Sequence, residues 1–281
     1  MCCRYWMEES PELREIVLEM NRSPLADKWR KTRGIKTGGE IFPTDVVPVI
    51  APDRSGRRAV FPMKWGFSIK MPTPGTKAGK VPGMAAGKVP GMAAGATGQT
   101  PGTVAGATGK VSGMAAGSAG EMLRMTAGES LQQGGRSENA ARILLMNART
   151  ETAGQKPSFR ESWRRRRCIV PASWYFEWEH LKRNDGQTGT GEKYMLQPKN
   201  SGMTWLCGLY RIENGLPEFV ILTREPGDEI RFIHDRMPLI LPERCIDDWI
   251  RPGTRPEDLL PEALTEMVYE KADGSLDRND L

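Results

Sequence analysis

The stretch from Met71 to Gly135 constrains the fold of this chain more than any other feature of the sequence. It contains no aromatic residue and holds 16 of the 31 glycines. The octet Gly-Lys-Val-Pro-Gly-Met-Ala-Ala starts at Gly79, repeats directly from Gly87 and returns imperfectly from Gly109. Solenoid turns need larger side chains to bury, and glycine and alanine offer little area against an ordering entropy of roughly 1–2 kcal/mol per residue. We therefore predict a flexible low-complexity insertion over residues 71–135.

The other residues form two blocks, 1–70 and 136–281, around this insertion. Apolar residues make up 38% of the 281-residue chain, below the roughly 45–50% of ordinary globular domains, and the insertion accounts for the shortfall. Neither block has enough strand-like runs to close a sheet alone, so we predict a single domain over residues 1–281. Such a domain can carry the insertion because each doubling of loop length costs only about 0.6 kcal/mol.

Strand-like runs outnumber helical ones in both blocks. A helix is predicted from Ser10-Pro11, an N-cap and a first helical position, because apolar residues follow at helical spacing. A second helix is predicted from near Pro226 to about His234. The predicted strands include residues 45–50, 59–61, 63–67, 168–171, 174–178, 194–196, 205–212 and 219–222. Many short strands with few helices indicate an α+β fold with a curved, barrel-like mixed β-sheet core.

Hydropathy and cysteine content exclude two classes of protein, those that span a membrane and those stapled by disulfides. The 40 Lys and Arg against 35 Asp and Glu give a net charge of +5, which is only mildly basic. No stretch approaches the roughly 18 apolar residues of a membrane span, and the N-terminus lacks the apolar segment of a signal peptide. The five cysteines have no framework spacing, so we expect thiols rather than a disulfide-stapled protein. We expect a cytoplasmic monomer without a membrane partner, associated with the nucleoid if the source is bacterial.

Cys2 is the first candidate for chemistry. Removal of Met1 would leave Cys2 with a free α-amine beside its thiol, and both groups have nucleophilic forms near neutral pH. The amine of such an aminothiol condenses with an aldehyde to an imine, and the thiol then closes a stable thiazolidine ring. The alternatives are an inert N-terminal thiol or an acylated Cys2-Cys3 pair, although the acidic Glu8-Glu9 does not favour a membrane-facing segment.

Two further polar residues follow or lie within apolar runs. Asn147 comes after residues 143–146 and could orient an amine or hold an oxyanion, or it could simply cap a helix. Glu177 lies between Phe176 and Trp178, where burial would raise its pKa into the range of proton transfer. Strand alternation puts Glu177 on the face opposite Phe176 and Trp178, so the alternative for Glu177 is a polar outer face.

The chain has only two histidines. His180 lies in a charged stretch and is predicted to be in a solvated loop, whereas His234 lies between apolar runs and is the better proton-transfer candidate. The alternative for His234 is a hydrogen-bonded structural histidine. We predict no metal site, because no Cys-x-x-Cys pair is present and one suitable histidine cannot build a usual zinc site. No Walker A or dinucleotide glycine pattern is present either, so we predict no cofactor.

Basic and aromatic residues are interleaved in several places. The run Arg164-Arg165-Arg166-Arg167 is close in sequence to Trp163 and Trp174, and Arg4, Lys64-Trp65 and Arg149 add to this character. Guanidinium groups pair with phosphates and exposed aromatic rings stack on bases, so single-stranded nucleic acid is a reasonable partner. The alternative for such a run is a solvated face.

Taken together, these segments resemble the SOS response-associated peptidase (SRAP) family of abasic-site processing proteins. The likeness covers about residues 1–67 and 141–250, and its specificity comes from the order of all the motifs rather than from any one of them. The matching segments are Met1-Cys2-x-Arg4-Tyr5, Trp65-Gly66, Asn147-Ala148-Arg149-x-Glu151-Thr152, Lys156-Pro157-Ser158-Phe159-Arg160, Arg166-Arg167-Cys168-Ile169-Val170-Pro171-Ala172, Tyr175-Phe176-Glu177-Trp178 and His234-x-Arg236-Met237-Pro238-x-Ile240-Leu241.

The resemblance implies a function and a set of site residues. Family proteins capture the ring-opened aldehyde of an abasic site in single-stranded DNA as a thiazolidine crosslink, and a lyase activity and autoproteolytic removal of Met1 are further possibilities. The positions that match the family's catalytic residues are Cys2, Asn147, Glu177 and His234. The positions that match its DNA-contacting residues are Arg4, Trp65 and Arg149.

Two departures from the family pattern and two rival functions accompany this interpretation. Cys3 replaces the usual glycine, and the insertion over residues 71–135 replaces a short connection, so the placement of Trp65 relative to Asn147 depends on how its ends close. The first rival is an N-terminal-nucleophile cysteine peptidase that acts on protein. The second is a non-catalytic module that binds single-stranded DNA.

Overall fold

The computed structural model describes residues 3–70, 142–182 and 188–272. Cys2, the predicted insertion over residues 71–135 and its flanks therefore lie outside the described residues. In the described ranges the α-helices are α1 (Pro11–Asn21), α2 (Pro24–Thr32), α3 (Thr150–Ala153), α4 (Arg160–Arg165) and α5 (Ile246–Ile250). The strands are β1 (Arg4–Met7), β2 (Gly39–Ile41), β3 (Val46–Pro52), β4 (Arg58–Trp65), β5 (Phe67–Lys70), β6 (Arg142–Leu145), β7 (Asn147–Arg149), β8 (Arg167–Ala172), β9 (Trp174–Lys182), β10 (Thr188–Pro198), β11 (Thr204–Glu213), β12 (Leu216–Arg224), β13 (Met237–Pro238) and β14 (Met267–Lys271).

Helix α1 begins where the sequence predicts it. The Ser10 hydroxyl accepts a hydrogen bond of 3.1 Å from the N–H of Leu13, and Pro11 occupies the first turn, where its missing N–H is not needed. Leu13 and Met20 are the buried residues of the helix. The helix thus covers one flank of the sheet core with an amphipathic face.

Five strands close into a barrel. Their order is β11-β8-β3-β4-β12, and β12 pairs with β11 again to complete the circle. The pair of β4 and β12 is parallel, while the other pairs of the circle are antiparallel, so the sheet is mixed. Closure leaves these strands no unpaired edge along the circle. The predicted α+β fold with a barrel-like mixed sheet and few helices is confirmed.

A second, fully antiparallel sheet has the order β14-β10-β9-β1-β2. Its strands β1 and β9 bury Tyr5 and Tyr175, which face each other in register. These two rings share a hydrophobic core with Trp65 and Phe219 of the barrel. The second sheet therefore packs on the barrel through the inner face of β1 and β9.

The chain leaves the barrel at Gly66 and returns to it at Met146. The N–H of Gly66 donates to the carbonyl of Phe219 (2.7 Å), and the carbonyl of Met146 accepts from the N–H of Ile221 (3.1 Å), so β4 and β7 occupy successive stretches of β12. Between these points β5 and β6 form a separate antiparallel pair that ends where Lys70 faces Arg142. Lys70 and Arg142, the described residues on either side of the segment over residues 71–141, are therefore direct neighbours.

Other sequence predictions have mixed outcomes. The helix predicted from Pro226 to His234 is wrong, since only a 3-10 turn, Asp228–Ile230, forms there. Beyond that turn the carbonyl of Ile233 accepts a hydrogen bond from the N–H of His180 on β9, and this tertiary contact replaces helical pairing. Among the described residues no disulfide forms, and no helix in those ranges is long and apolar enough to span a membrane.

Candidate active site

The loop from His234 to Arg236 lies where the barrel meets the second sheet. On the barrel side, Nη2 of Arg236 donates a 2.7 Å hydrogen bond to the carbonyl of Thr223 on β12. On the other side, the N–H of His180 on β9 donates a 2.9 Å hydrogen bond to the carbonyl of Ile233. The two bonds place His234 between β12 and β9.

His234 is buried and neutral near pH 7. Its Nδ1 accepts a 2.9 Å hydrogen bond from the N–H of Arg236 and also lies 2.9 Å from Oδ1 of Asp235. Because the hydrogen of a backbone N–H is fixed, Nδ1 is the acceptor and the neutral ring carries its proton on Nε2. Burial lowers the pKa of His234 to about 3, and the neighbouring His180 ring and the Arg236 guanidinium act in the same direction.

His180 is a residue of strand β9 rather than of a solvated loop, so that prediction is wrong. The side chain is exposed, but its ring centroid lies 3.8 Å from the ring centroid of His234 with a tilt of 51°. Strand β9 extends to Lys182, further than the aromatic run predicts, because β10 pairs along its length. The premise that only one histidine occupies a suitable place is therefore also wrong.

Glu177 is buried in the same strand. It is 3% exposed and faces Tyr194 of β10 in register. Burial raises the pKa of Glu177 to about 7, and the negative charge of Asp235 adds to this shift. The alternative of a polar outer face is wrong, since Glu177 shares its side of β9 with Tyr175, which is part of the core.

Asn147 is the first residue of β7 and lies beside Ile221 of β12. The preceding carbonyl, that of Met146, accepts hydrogen bonds from the N–H of Ile221 (3.1 Å) and from Nε1 of Trp65 (3.0 Å). The alternative of a capping asparagine is wrong, because the N-cap residue of α3 is Arg149. Two hydrogen bonds to one carbonyl thus fix the backbone that presents Asn147.

An ion pair that sequence reasoning missed joins two of the motifs. Nη1 and Nη2 of Arg236 donate to the two carboxylate oxygens of Glu151 at 2.8 and 2.9 Å. Burial raises the pKa of Glu151, but the hydrogen bonds and positive charge of Arg236, together with hydrogen bonds from the backbone of Glu151 and from Thr150, lower the pKa below its usual value. The sequence signal for this ion pair was that Glu151 lies in the segment that contains Asn147 and that Arg236 lies in the segment that contains His234.

Strand β1 brings the N-terminal segment to this site. Arg4 faces Phe176 in antiparallel register. The same register, continued by one residue, puts the half-buried Cys3 opposite Glu177. Cys2 itself is outside the described residues. The Arg4 guanidinium lies 3.4 Å from a carboxylate oxygen of Glu40 and 5.0 Å from the ring centroid of Trp178.

The other predicted DNA contacts differ in exposure. Trp65 is fully buried and packs between Tyr5 and Phe219, so its ring presents no face to a base in this structure. Arg149 is exposed at the end of β7. In the arginine run, Arg167 is buried and donates to five backbone carbonyls, and thus has a structural role.

Three side chains at the site could hold a metal ion. One ring nitrogen of His180, one of His234 and a carboxylate oxygen of Asp235 lie within 4.8 Å of one another. Sequence reasoning did not bring them together because a 54-residue separation hides the contact between β9 and the loop.

Comparison with known proteins adds a family and a fold. A family model described as SOS response associated peptidase (SRAP) matches residues 130–274, more than half of the chain. The abasic site processing protein YoqW of Bacillus subtilis is 37% identical over 125 residues, which cover 43% of this chain and 54% of that protein. The abasic site processing protein YoaM of the same organism is 36% identical over 134 residues, covering 46% and 56%. The chain thus matches about half the length of these curated relatives.

A solved structure extends the likeness to the whole fold. The crystal structure of a phage-related protein from Bordetella bronchiseptica superposes with a TM-score of 0.53 and covers 97% of this chain and 94% of its own. At 16% identity this likeness concerns the fold alone.

Proposed function

The chain belongs to the SOS response associated peptidase (SRAP) family, and from this premise we propose that it processes abasic sites in single-stranded DNA through a covalent crosslink to Cys2. The two Bacillus subtilis relatives described above are abasic site processing proteins, and about half of their length aligns with this chain. An abasic site in its ring-opened form carries an aldehyde. The proposed product is a thiazolidine that joins this aldehyde carbon to the nitrogen and sulfur of Cys2.

The reaction proceeds in two steps after Met1 has been removed. The α-amine of Cys2 attacks the aldehyde carbon, and the resulting carbinolamine loses water to give an imine. The Cys2 thiolate then adds to the imine carbon, and the nitrogen takes up a proton. The first step needs an unprotonated amine and an acid that protonates the departing hydroxyl.

Glu177 is the acid of the proposed mechanism. Its carboxyl is buried with a pKa of about 7, so a large part of it is protonated at neutral pH, unlike an ordinary glutamate. It belongs to β9, the strand that pairs with the N-terminal strand β1. A proton donor within the strand next to the nucleophile segment is the observation that carries the proposal.

The other residues take supporting roles. His234 is neutral, so it acts through its Nε2–H as a hydrogen-bond donor to the sugar oxygen rather than as an imidazolium acid. Asn147, whose backbone is fixed by the two hydrogen bonds that the preceding carbonyl of Met146 accepts, orients the amine or the sugar. Arg149 and Arg4 contact phosphates, whereas the buried Trp65 supports the backbone before Asn147.

The test compares two thiol substitutions at the N-terminus. Cys2→Ser should abolish the heat-stable adduct on an abasic single-stranded oligonucleotide, because an oxazolidine is far more labile than a thiazolidine. Cys3→Gly should retain the adduct and serves as the matched control. Intact mass of the protein, alone and with the oligonucleotide, reports both the loss of Met1 and the crosslink. Equal loss in both variants, or in neither, contradicts the assignment.

The same measurement separates the rival functions. An N-terminal-nucleophile peptidase would turn over peptide without a stable DNA adduct, and a binding module would retain intact single strands without any adduct. Release of a cleaved strand after crosslinking would add a lyase step to the proposal. Reaction with an oligonucleotide that lacks the abasic aldehyde is the control for all three outcomes.

A further inference from the structure

The pair of histidines and the adjacent carboxylate form a cluster that the proposed crosslinking does not need as a unit. His234 is buried, while His180 and Asp235 are exposed to solvent at the mouth of the site. We propose that these three side chains bind a divalent transition ion of the zinc class, and that the bound ion inhibits crosslinking. The inhibition rests on the proposed function, whereas the binding does not.

The ligand set favours zinc over magnesium or calcium. Two imidazole nitrogens and one carboxylate oxygen are the three protein ligands of many zinc sites whose fourth position stays open to water. Magnesium and calcium prefer sites made of oxygen atoms. The exposure of His180 and Asp235 leaves room for the water ligand on the solvent side.

Binding requires a turn of the Asp235 side chain and the loss of one hydrogen bond at His234. With zinc–ligand bonds of about 2.0–2.1 Å, two ligand atoms lie at most about 4.2 Å apart, and about 3.3 Å apart in a regular tetrahedron. Oδ1 of Asp235 lies 2.9 Å from Nδ1 of His234, and the widest separation in the cluster is below 4.8 Å. The Asp235 side chain is 74% exposed, so it can turn without disturbing the core. An ion at Nδ1 would replace the hydrogen bond from the N–H of Arg236.

The charges around the cluster are of both signs. The guanidinium of Arg236 is close, but both of its Nη groups are bound to the carboxylate of Glu151. The negative charge of Asp235 also raises the pKa of the buried Glu177. An ion in this place would engage His234, the donor to the sugar oxygen in the proposed mechanism.

Direct binding tests the site without DNA. We expect the purified full-length chain to bind one Co²⁺ with a visible spectrum of nitrogen and oxygen ligands, and Zn²⁺ to displace it. His180→Ala should weaken binding by about 100-fold or more, since even the loss of an outer-shell partner costs up to 100-fold. Asp235→Asn should also weaken it. Asp228→Asn, which removes a 96% exposed carboxylate before the same loop, is the matched control and should bind as the parent does.

The N-terminal aminothiol is the competing site, and Cys2→Ser distinguishes it. Retained Co²⁺ binding in Cys2→Ser supports the histidine site. Loss of Co²⁺ binding in Cys2→Ser, or a sulfur-to-cobalt charge-transfer band in the parent, overturns the histidine site. Unchanged affinity in His180→Ala, or absence of Co²⁺ binding in the parent, also overturns it.

Crosslinking with and without Zn²⁺ tests the inhibition. The rate should fall with Zn²⁺ occupancy in the parent and should not respond over the same range in His180→Ala, each compared with its own metal-free rate. Binding without any change in rate would overturn the inhibitory role. A parent that forms no crosslink even without metal would instead overturn the proposed function and leave the binding result standing.

Discussion

The site has two walls that are held in different ways: a strand wall, formed by Asn147 and Glu177, and a loop wall, formed by the loop from His234 to Arg236. Asn147 and Glu177 belong to strands β7 and β9, whose backbones are bound to neighbouring strands, so their positions depend on main-chain pairing. His234 belongs to a loop, and side-chain and backbone contacts of Arg236 hold it in place. The strand wall should therefore tolerate side-chain changes that preserve packing, whereas the loop wall should depend on single polar contacts.

The largest expected effect comes from the charge buried in the strand wall. With a folded pKa of about 7 and a usual value of 4.5, Glu177 binds more protons in the folded chain than in the unfolded one. Its contribution to the free energy of unfolding is therefore present below about pH 4.5 and is lost as the pH rises through about 7. Glu177→Gln removes this loss, so the variant should gain about 3 kcal/mol relative to the parent between pH 4 and pH 8.

Urea unfolding of both proteins at several pH values measures this difference. Equal pH dependence in the two proteins would show that burial does not raise the pKa of Glu177. Glu213→Gln, a change at a carboxylate that is 39% exposed on β11, is the matched control and should leave the pH dependence in place.

The same substitution tests the chemistry of the strand wall. The parent rate should be bell-shaped in pH, with a maximum between about 7 and 8, because the amine must be unprotonated and the carboxyl of Glu177 protonated. Glu177→Gln keeps the shape and a hydrogen bond but cannot exchange a proton, so the rate should fall by about 10²-fold. Single-turnover crosslinking across pH 5–9 measures it. A parent-like rate at every pH would show that Glu177 is not the acid of the reaction.

The strand wall was the more predictable one, for a physical reason. Alternation along β9 follows from strand geometry alone, so the side of the strand that carries Glu177 could be read from the pattern of aromatic residues. That this side faces the barrel, and raises the pKa, depends on packing that no local pattern contains. The burial of Trp65 also could not be predicted from the local sequence, because its indole N–H donates a hydrogen bond to the carbonyl of Met146, which is 81 residues away in the sequence.

The loop wall was the less predictable one. The segment after Pro226 has a helical pattern, but it forms a single 3-10 turn because Ile233 pairs with β9 instead. The contact of His180 with His234 follows from that pairing. The bond between Glu151 and Arg236 also crosses from α3 to the loop, so no spacing within either motif indicates it.

Deletion of residues 72–134 tests whether the strand wall depends on the long segment that precedes Asn147. Since Lys70 faces Arg142 in register, a short linker can join the ends without moving β5 or β6. We expect crosslinking to be preserved and the free energy of unfolding to rise by about 1–2 kcal/mol, because roughly two to three halvings of loop length each save about 0.6 kcal/mol. Calorimetry measures it, and a large drop in Tm would show that the segment packs against the site.

The smallest expected effect on stability comes from Glu151→Gln in the contacts of the loop wall. The same substitution should also lower the crosslinking rate. Glu151→Gln leaves Arg236 without its carboxylate, although the bond to the carbonyl of Thr223 remains. Because the Glu151 side chain is 47% exposed, solvent screens the pair and the free energy of unfolding should fall by only about 1 kcal/mol.

The crosslinking rate of Glu151→Gln should fall by about fivefold, if a similar free energy is lost in placing His234. Glu213→Gln removes a looser pair, between Glu213 and Arg211 at 3.6 Å on strand β11, while Arg211 keeps its contact with Glu218, and it serves as the control for both measurements. A loop held by its side chains predicts that only the Glu151 variant loses rate, and that its Tm falls by about 2–4 °C, the shift that about 1 kcal/mol produces in a chain of this size. If both variants lose rate equally, or if neither does, then the backbone and not the ion pair positions His234, and the two walls are held in the same way.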